Sequence, residues 1–237
     1  MTWSIIARDL ASGHFGIAVA TKFFAVGARV PFIAAGIGAI ATQALTNPFY
    51  GVDGLILLEN EIAPDEAIRL LIEQDEGRDH RQVHMMDRDG RIAAHTGEAC
   101  IHWCGHRAGD GYSLAGNMLA GARVLADTAA AYENNAGLPF PQRLIVAMQA
   151  GEAAGGDKRG KQSAALLIYG EEEWSDLDLR VDDHPDPLNE LARLERVSRE
   201  RFVHFRKFTP SRRNPAGVFD RTVIEAEIAR ALAVKER

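Results

Sequence analysis

Thr2 is the residue whose type and position could do the most chemistry. A small second residue makes Met1 a target for removal, and removal leaves a threonine carrying its own α-amino group. With a pKa near ~7.7–8.0, such an amine is partly neutral at working pH and can take the proton of its own hydroxyl. Nucleophile and base are then one residue. An unprocessed chain has Thr2 acylated by methionine and no free amine. The same side chain also fits a plain strand start, where a β-branched residue packs well.

Other groupings come close to known chemistry and stop short. The run Gly155-Gly156-Asp157-Lys158-Arg159-Gly160-Lys161-Gln162-Ser163 almost spells a phosphate-binding loop, but Gln162 holds the Ser/Thr place. Such a loop must leave a strand and open a helix, whereas here a helical stretch precedes and an apolar strand follows. An Arg/Lys-rich glycine loop can still hold a carboxylate. Gly36-Ile37-Gly38-Ala39-Ile40-Ala41 fits the dinucleotide fingerprint, yet Thr42, Thr46 and Pro48 leave no room for the helix that must follow, so close strand packing explains the glycines better. Gly111-Tyr112-Ser113-Leu114-Ala115 misses the nucleophile elbow at its last position.

His102-Trp103-Cys104-Gly105-His106, with His80, His84, His95 and Cys100 near it, offers ligands that zinc accepts. Residues four apart on a strand lie about 13 Å apart, too far to share one ion unless the chain turns at Gly105. On a strand, Cys100 and Cys104 face the same difficulty for a disulfide. Hydrogen-bonded histidines are the expectation, with neither metal nor cofactor.

These residues need elements to hold them. Trp3–Ala7 and Phe15–Ala20 flank the turn cluster Asp9-Leu10-Ala11-Ser12-Gly13 and read as a hairpin. The glycine-punctuated stretches Ala25–Val30 and Ile33–Ala44 read as closely packed sheet. Asn47-Pro48 and Pro64-Asp65-Glu66 open helices. A second hairpin, Gln82–Met86 with Arg91–Thr96, turns at Asp89-Gly90, and Tyr112–Leu119 is a further strand. Helices are expected at Ala120–Asn134 and Pro141–Ala154, and strands at Gln162–Tyr169 and Leu177–Val181. After His184-Pro185-Asp186-Pro187 the chain turns to charged helix, with Phe205–Asn214 as a basic linker and a last helix at Val223–Val234. Strands, two helices, strands, two helices and strands again point to an α+β or layered α/β fold with antiparallel hairpins, not a regular βαβ repeat.

Composition sets the outer bounds. Of the 237 residues, 46% are hydrophobic and 25% charged, and 27 Lys and Arg against 33 Asp and Glu leave a net charge of -6. That is a soluble domain's composition, long enough for one sizeable core. Mild acidity argues against a nucleic-acid partner, and two cysteines are too few for a disulfide framework. No stretch reaches the ~18 uninterrupted apolar residues of a membrane helix, and the start lacks the basic segment and apolar core of a signal peptide. The expectation is a cytoplasmic protein. Phe202, Phe205 and Phe208 form a stripe that fits against a second subunit, making a homodimer, or against the chain's own body.

The runs Thr2–Asp9 and Gly16–Gly27 resemble the start of a bacterial family catalogued as domain of unknown function 1028. So do Ala41–Ala44, His95-Thr96-Gly97, Gly116-Asn117-Met118-Leu119, Gly155–Ala165 and Asp182–Pro187, a likeness extending from Thr2 to Leu194. Members resemble N-terminal nucleophile hydrolases, which implies a four-layer αββα sandwich of two antiparallel sheets over residues 1–190, followed by a helical C-terminal extension over 191–237. It also implies an amidohydrolase acting on a small or peptide-like amide, with Thr2 attacking through its hydroxyl to form an acyl-enzyme. Lys22 would depress the amine's pKa or polarise the carbonyl, and Asn117 would donate to the oxyanion. Asp157, Arg159, Gln162 and Ser163 would orient the amine or hold a substrate carboxylate. The competing expectation is a non-catalytic protein on the same fold, holding an anionic small ligand with the Asp157–Ser163 loop and the region of His95.

Overall fold

The structure is a computed structural model and describes residues 2–233. Its elements, in chain order, are β1 (Thr2–Arg8), β2 (Phe15–Thr21), β3 (Pro31–Ala34), β4 (Gly38–Ala44), α1 (Phe49–Glu59), α2 (Pro64–Glu73), β5 (Arg81–Asp87), β6 (Ile92–Thr96), β7 (Trp103–Gly109) and β8 (Tyr112–Leu119). There follow α3 (Arg123–Asn134), α4 (Phe140–Ala153), β9 (Ser163–Tyr169), β10 (Ser175–Val181), α5 (Pro187–Ser198), α6 (Phe202–Phe205) and α7 (Arg221–Ala233). Two sheets result, one ordered β10-β9-β2-β1-β8-β7 and the other β3-β4-β5-β6. Every pairing is antiparallel, so the fold is α+β.

Side-chain alternation divides the core into three parts. On β1, Trp3, Ile5 and Ala7 point to α3 and α4, where they meet Val124, Leu125, Leu144 and Met148. Ile6 points the other way and packs with Ala39, Ala41 and Met86 of the second sheet. Ile40, Val83 and Met85, on the far side of that sheet, pack against Tyr50 and Leu58 of α1 and Ala67 and Ile68 of α2. Fully burying each such aliphatic side chain stabilises by about 1.5–3 kcal/mol. Two antiparallel sheets are present as expected, and the expected strands lie within one or two residues of β1, β2, β5, β6, β8, β9 and β10.

Some local readings change. Val26–Ala28 is a 3-10 turn rather than sheet, entered through Ala25 in the left-handed region at φ 54. The strand expected to hold His102 begins one residue later, because His102 is itself left-handed at φ 57. Phe205–Asn214 is more than a solvated connector: Arg206 pairs with Asp176, and Arg212 with Glu173 while its backbone N–H meets Glu172. The acidic turn between β9 and β10, with Asp176 at the start of β10, receives the basic run. Phe202 and Phe205 stay 47% and 45% exposed. Leu188 and Leu191 of α5 join the core, so this helix is packed as it crosses residue 190. The last helix is described to Ala233; Val234 and Met1 lie outside the described residues.

No helix among the described residues is long and apolar enough to cross a membrane.

Candidate functional site

Thr2 opens β1, a strand paired on both sides, and is almost fully buried. Its register partners are Thr21 on β2 and Asn117 on β8. Opposed residues of antiparallel strands share a face with Cβ atoms about 5 Å apart. Thr2, Thr21 and Asn117 thus form a polar row facing the second sheet, and Thr2 Oγ1 donates to Thr21 Oγ1 at 3.1 Å.

Behind Asn117 runs a hydrogen-bonded chain of buried polar groups. Asn117 Nδ2 donates to Gln82 Oε1 at 3.0 Å, and Gln43 Nε2 donates to the same oxygen at 2.8 Å. Ser4 Oγ donates to Gln43 Oε1 at 2.8 Å and lies 2.9 Å from His84 Nε2, whose Nδ1 is 2.9 Å from Ser113 Oγ. Gln82 Nε2 reaches Thr96 Oγ1 and the carbonyls of Gly105 and Gly116. Those carbonyls flank the register shift between Trp103 and Gly105, so one side-chain amide satisfies backbone groups beside the irregularity. Ser4, Gln43 and Gln82 are not site candidates in the sequence, and His84 is one only among the histidines offered to zinc. The usable signal was polar residues at period two, Gln82 and His84 or Ser113 and Asn117, inside strands otherwise apolar.

Burial, with a smaller contribution from the charge on His106, pushes the His84 pKa from 6.5 down to about 3. The folded protein holds His84 neutral, while the unfolded chain takes up its proton near pH 6.5. Its contribution to stability is full above that pH and is lost as the pH falls toward about 3, at no more than about 1.4 kcal/mol per pH unit. Between pH 6.5 and 5, urea unfolding should therefore lose up to about 2 kcal/mol, and His84→Gln should flatten that slope. Parallel slopes for the two proteins would show that His84 does not carry the effect.

A cavity of about 630 Å³ opens at this end of the strands, with Asn117 and Arg159 in its wall. Thr2 does not line it, but Asn117 brings it to within one strand spacing of Thr2, about 4.8 Å. Five non-glycine residues among those described have left-handed backbone, and four of them cluster here. Ala44 and Met118 line the cavity, and Ala25 and His102 adjoin the lining residues Val26 and Ile101. Such conformations cost about 1–3 kcal/mol each and gather where a site needs a particular shape.

The remaining site residues expected from the sequence divide between this cavity and its supports. Arg159 lines the cavity and pairs with the buried Asp157 at 3.1 Å. Asp157 also accepts the Lys22 backbone N–H at 2.7 Å, joining the glycine loop to the end of β2. The Lys22 ammonium donates to the Lys161 carbonyl at 3.0 Å. Ser163 Oγ donates to the Phe23 carbonyl at 2.5 Å and accepts the Val26 N–H at 3.2 Å, pinning the 3-10 turn that walls the cavity. Gln162 takes the Thr21 carbonyl through its backbone and Asp183 through its side chain. His95 is not brought to Thr2: it pairs with Val83, whose side chain lies in the core against α1 and α2, and its Nε2 is 3.0 Å from the Arg78 carbonyl.

The glycine loop follows α4 and precedes β9, the reverse of a phosphate loop. His106 Nδ1 lies 3.1 Å from Thr96 Oγ1, Cys104 Sγ donates to the Cys100 carbonyl, and both cysteines are free thiols. Among the described residues no three His, Cys, Asp or Glu side chains converge as a metal site.

No curated protein matches the sequence. A crystal structure of a Silicibacter pomeroyi protein, itself described as of the DUF1028 family, is similar at 30% identity and TM-score 0.86, over 92% of this chain and 99% of that one. Anbu (ancestral β-subunit) from Yersinia bercovieri is similar at 12% identity and TM-score 0.43, over 83% of this chain and 94% of that one. Residues 2–191 match the model of a family of unknown function, DUF1028, and the chain belongs to that family.

Proposed function

We propose that the protein is an N-terminal-nucleophile-type amidohydrolase of small or peptide-like amides, with Thr2 as nucleophile once Met1 is removed. The observation that carries this reading is the polar row. A threonine hydroxyl at the head of β1 shares its face with a carboxamide that both lines a cavity and is oriented from behind by a buried network. The frame is read as a four-layer αββα sandwich to about residue 190, with a helical extension beyond. Packing of α3, α4 and α5 on one sheet and of α1 and α2 on the other supports it.

In this mechanism the free α-amine of Thr2 takes the hydroxyl proton as Oγ1 attacks the amide carbon. Asn117, with one amide hydrogen held by Gln82, offers its second to the developing oxyanion. The amine leaves with the proton, and water attacks the ester so formed, giving the acid and restoring Thr2. Arg159 serves as an anchor for substrate in the cavity wall. Lys22, Asp157, Gln162 and Ser163 hold the loops around it.

A second reading, a binding protein on the same frame, draws support from the cavity itself, whose wall contains Asn117 and Arg159 but not Thr2. Intact mass of the protein purified from its native host separates the two. Loss of the Met1 mass together with turnover in a screen of amide substrates is expected; retained Met1 would sink the catalytic reading and leave the binding one.

A further inference from the structure

We infer that the cavity takes an amphiphilic carboxylate, a molecule with an apolar body and one acidic end, and that Arg29 is the residue that grips the acid. For the fate of the ligand's amide this rests on the hydrolase reading; the ligand class follows from the wall alone.

The volume, about 630 Å³, lies in the range of about 300–1,000 Å³ that encloses most of a small organic ligand. Most of the wall is apolar. Val26 and Val30 belong to the core between the sheets and bring it to the cavity surface, and Ile101 stands 56% exposed at the cavity. Scattered apolar side chains at a surface need no explanation, but a hydrocarbon-lined cavity with apolar side chains exposed around it favours an apolar occupant.

The charge of the wall has one sign. Arg29 and Arg159 line it and no Asp or Glu does, in a chain whose net charge is -6. The two guanidinium groups are not equivalent. Arg159 already has the buried Asp157 carboxylate as its counter-ion. The Arg29 side chain has no carboxylate or hydrogen-bond partner among the described residues, and a planar guanidinium matches a carboxylate through two parallel N–H bonds.

The position of Arg29 is also held. It follows the 3-10 turn Val26–Ala28, and its backbone N–H donates to the Val26 carbonyl at 3.1 Å. Ser163 anchors that turn at Phe23 and Val26, and the Asp182 carbonyl accepts the Ala25 N–H at 3.0 Å. The pinned turn fixes where the Arg29 side chain leaves the backbone, so only its rotamers are left to be ordered when it binds.

The test uses N-decanoylglycine and its uncharged carboxamide analogue as probes, with binding followed by calorimetry on the full-length Thr2→Ala protein so that turnover cannot consume them. The acid should bind at least about tenfold more tightly than the neutral analogue, one carboxylate–guanidinium pair's share of the affinity. Arg29→Gln should remove that preference and leave neutral-analogue binding unchanged, and Arg29→Lys should restore part of it. Arg29 is exposed, and unchanged thermal melting will verify that the variants fold. Equal binding of the two probes, an unaltered preference in Arg29→Gln, or no binding of either would overturn the proposal. Binding with the expected preference but no hydrolysis by the wild type would leave the ligand class standing and remove the hydrolase reading. Hydrolysis of neutral amides with no preference for acids would do the reverse.

Discussion

Thr2→Ala is expected to lower amide hydrolysis on the order of 10⁴-fold or more, the scale seen when a nucleophile is deleted from an acyl-transfer site. The substitution is selective. Alanine is as small as threonine at the second position, so Met1 removal and the α-amine are retained and only the hydroxyl and a methyl group are lost. The hydroxyl's bond to Thr21 Oγ1 goes with them, at about 0.5–1.5 kcal/mol, too little to unfold the chain. Thr2→Ser, which keeps a hydroxyl beside the amine, should retain measurable turnover. The readouts are kcat/KM on whichever amide the screen identifies and the mass of the acyl-enzyme trapped at early times. Turnover unchanged in Thr2→Ala would remove Thr2 as nucleophile whatever the state of Met1.

Gln82→Leu should be the most destabilising single change in the polar interior, at about 3–5 kcal/mol. Leucine matches the side chain in bulk, so the effect comes from lost bonds and not from a void. Gln82 Oε1 accepts from both Gln43 and Asn117, and its amide serves Thr96 and two backbone carbonyls. Each buried group left unsatisfied costs about 1–3 kcal/mol, and some of that is recovered by relaxation or entry of water. The double variant Gln43→Leu/Gln82→Leu should be less destabilised than the sum of the singles, since it removes one orphaned donor along with its lost acceptor. Denaturant midpoints measure both. A loss below about 1 kcal/mol for Gln82→Leu would mean that the network does not stabilise the pairing of the two sheets. In a catalytically active protein, the same variant should lower kcat more than it raises KM, because Asn117 would keep its place and lose its orientation.

The hairpins were legible because their causes are local. The turn cluster from Asp9 to Gly13 and the Asp89-Gly90 pair separate runs of apolar residues, and the structure puts β1–β2 and β5–β6 there. Pro64 at the first turn of α2, followed by Asp65 and Glu66, announces that helix by the same kind of short-range chemistry. The sheet reading failed at Val26–Ala28, where the apolar pattern continues but the chain turns. The turn is held by Ser163, 137 residues away from Val26, and nothing within the segment could report that.

The site divides in the same way. Thr2 and Asn117 could be named from residue type and family likeness, and the glycine loop could be denied nucleotide chemistry from the order of its flanking elements. That Thr2 and Asn117 are register partners, that Asn117 is held by Gln82 from the other sheet, and that Arg159 turns to a cavity while Lys22 bonds to the Lys161 carbonyl are outcomes of long-range pairing. Ser4 meets His84 across 80 residues and Lys22 meets Asp157 across 135. Alternation within each strand states which side chains share a face, since it reflects the two-residue period of the backbone. Which buried polar group answers which depends on sheet order and register, which arise only when all strands pack together.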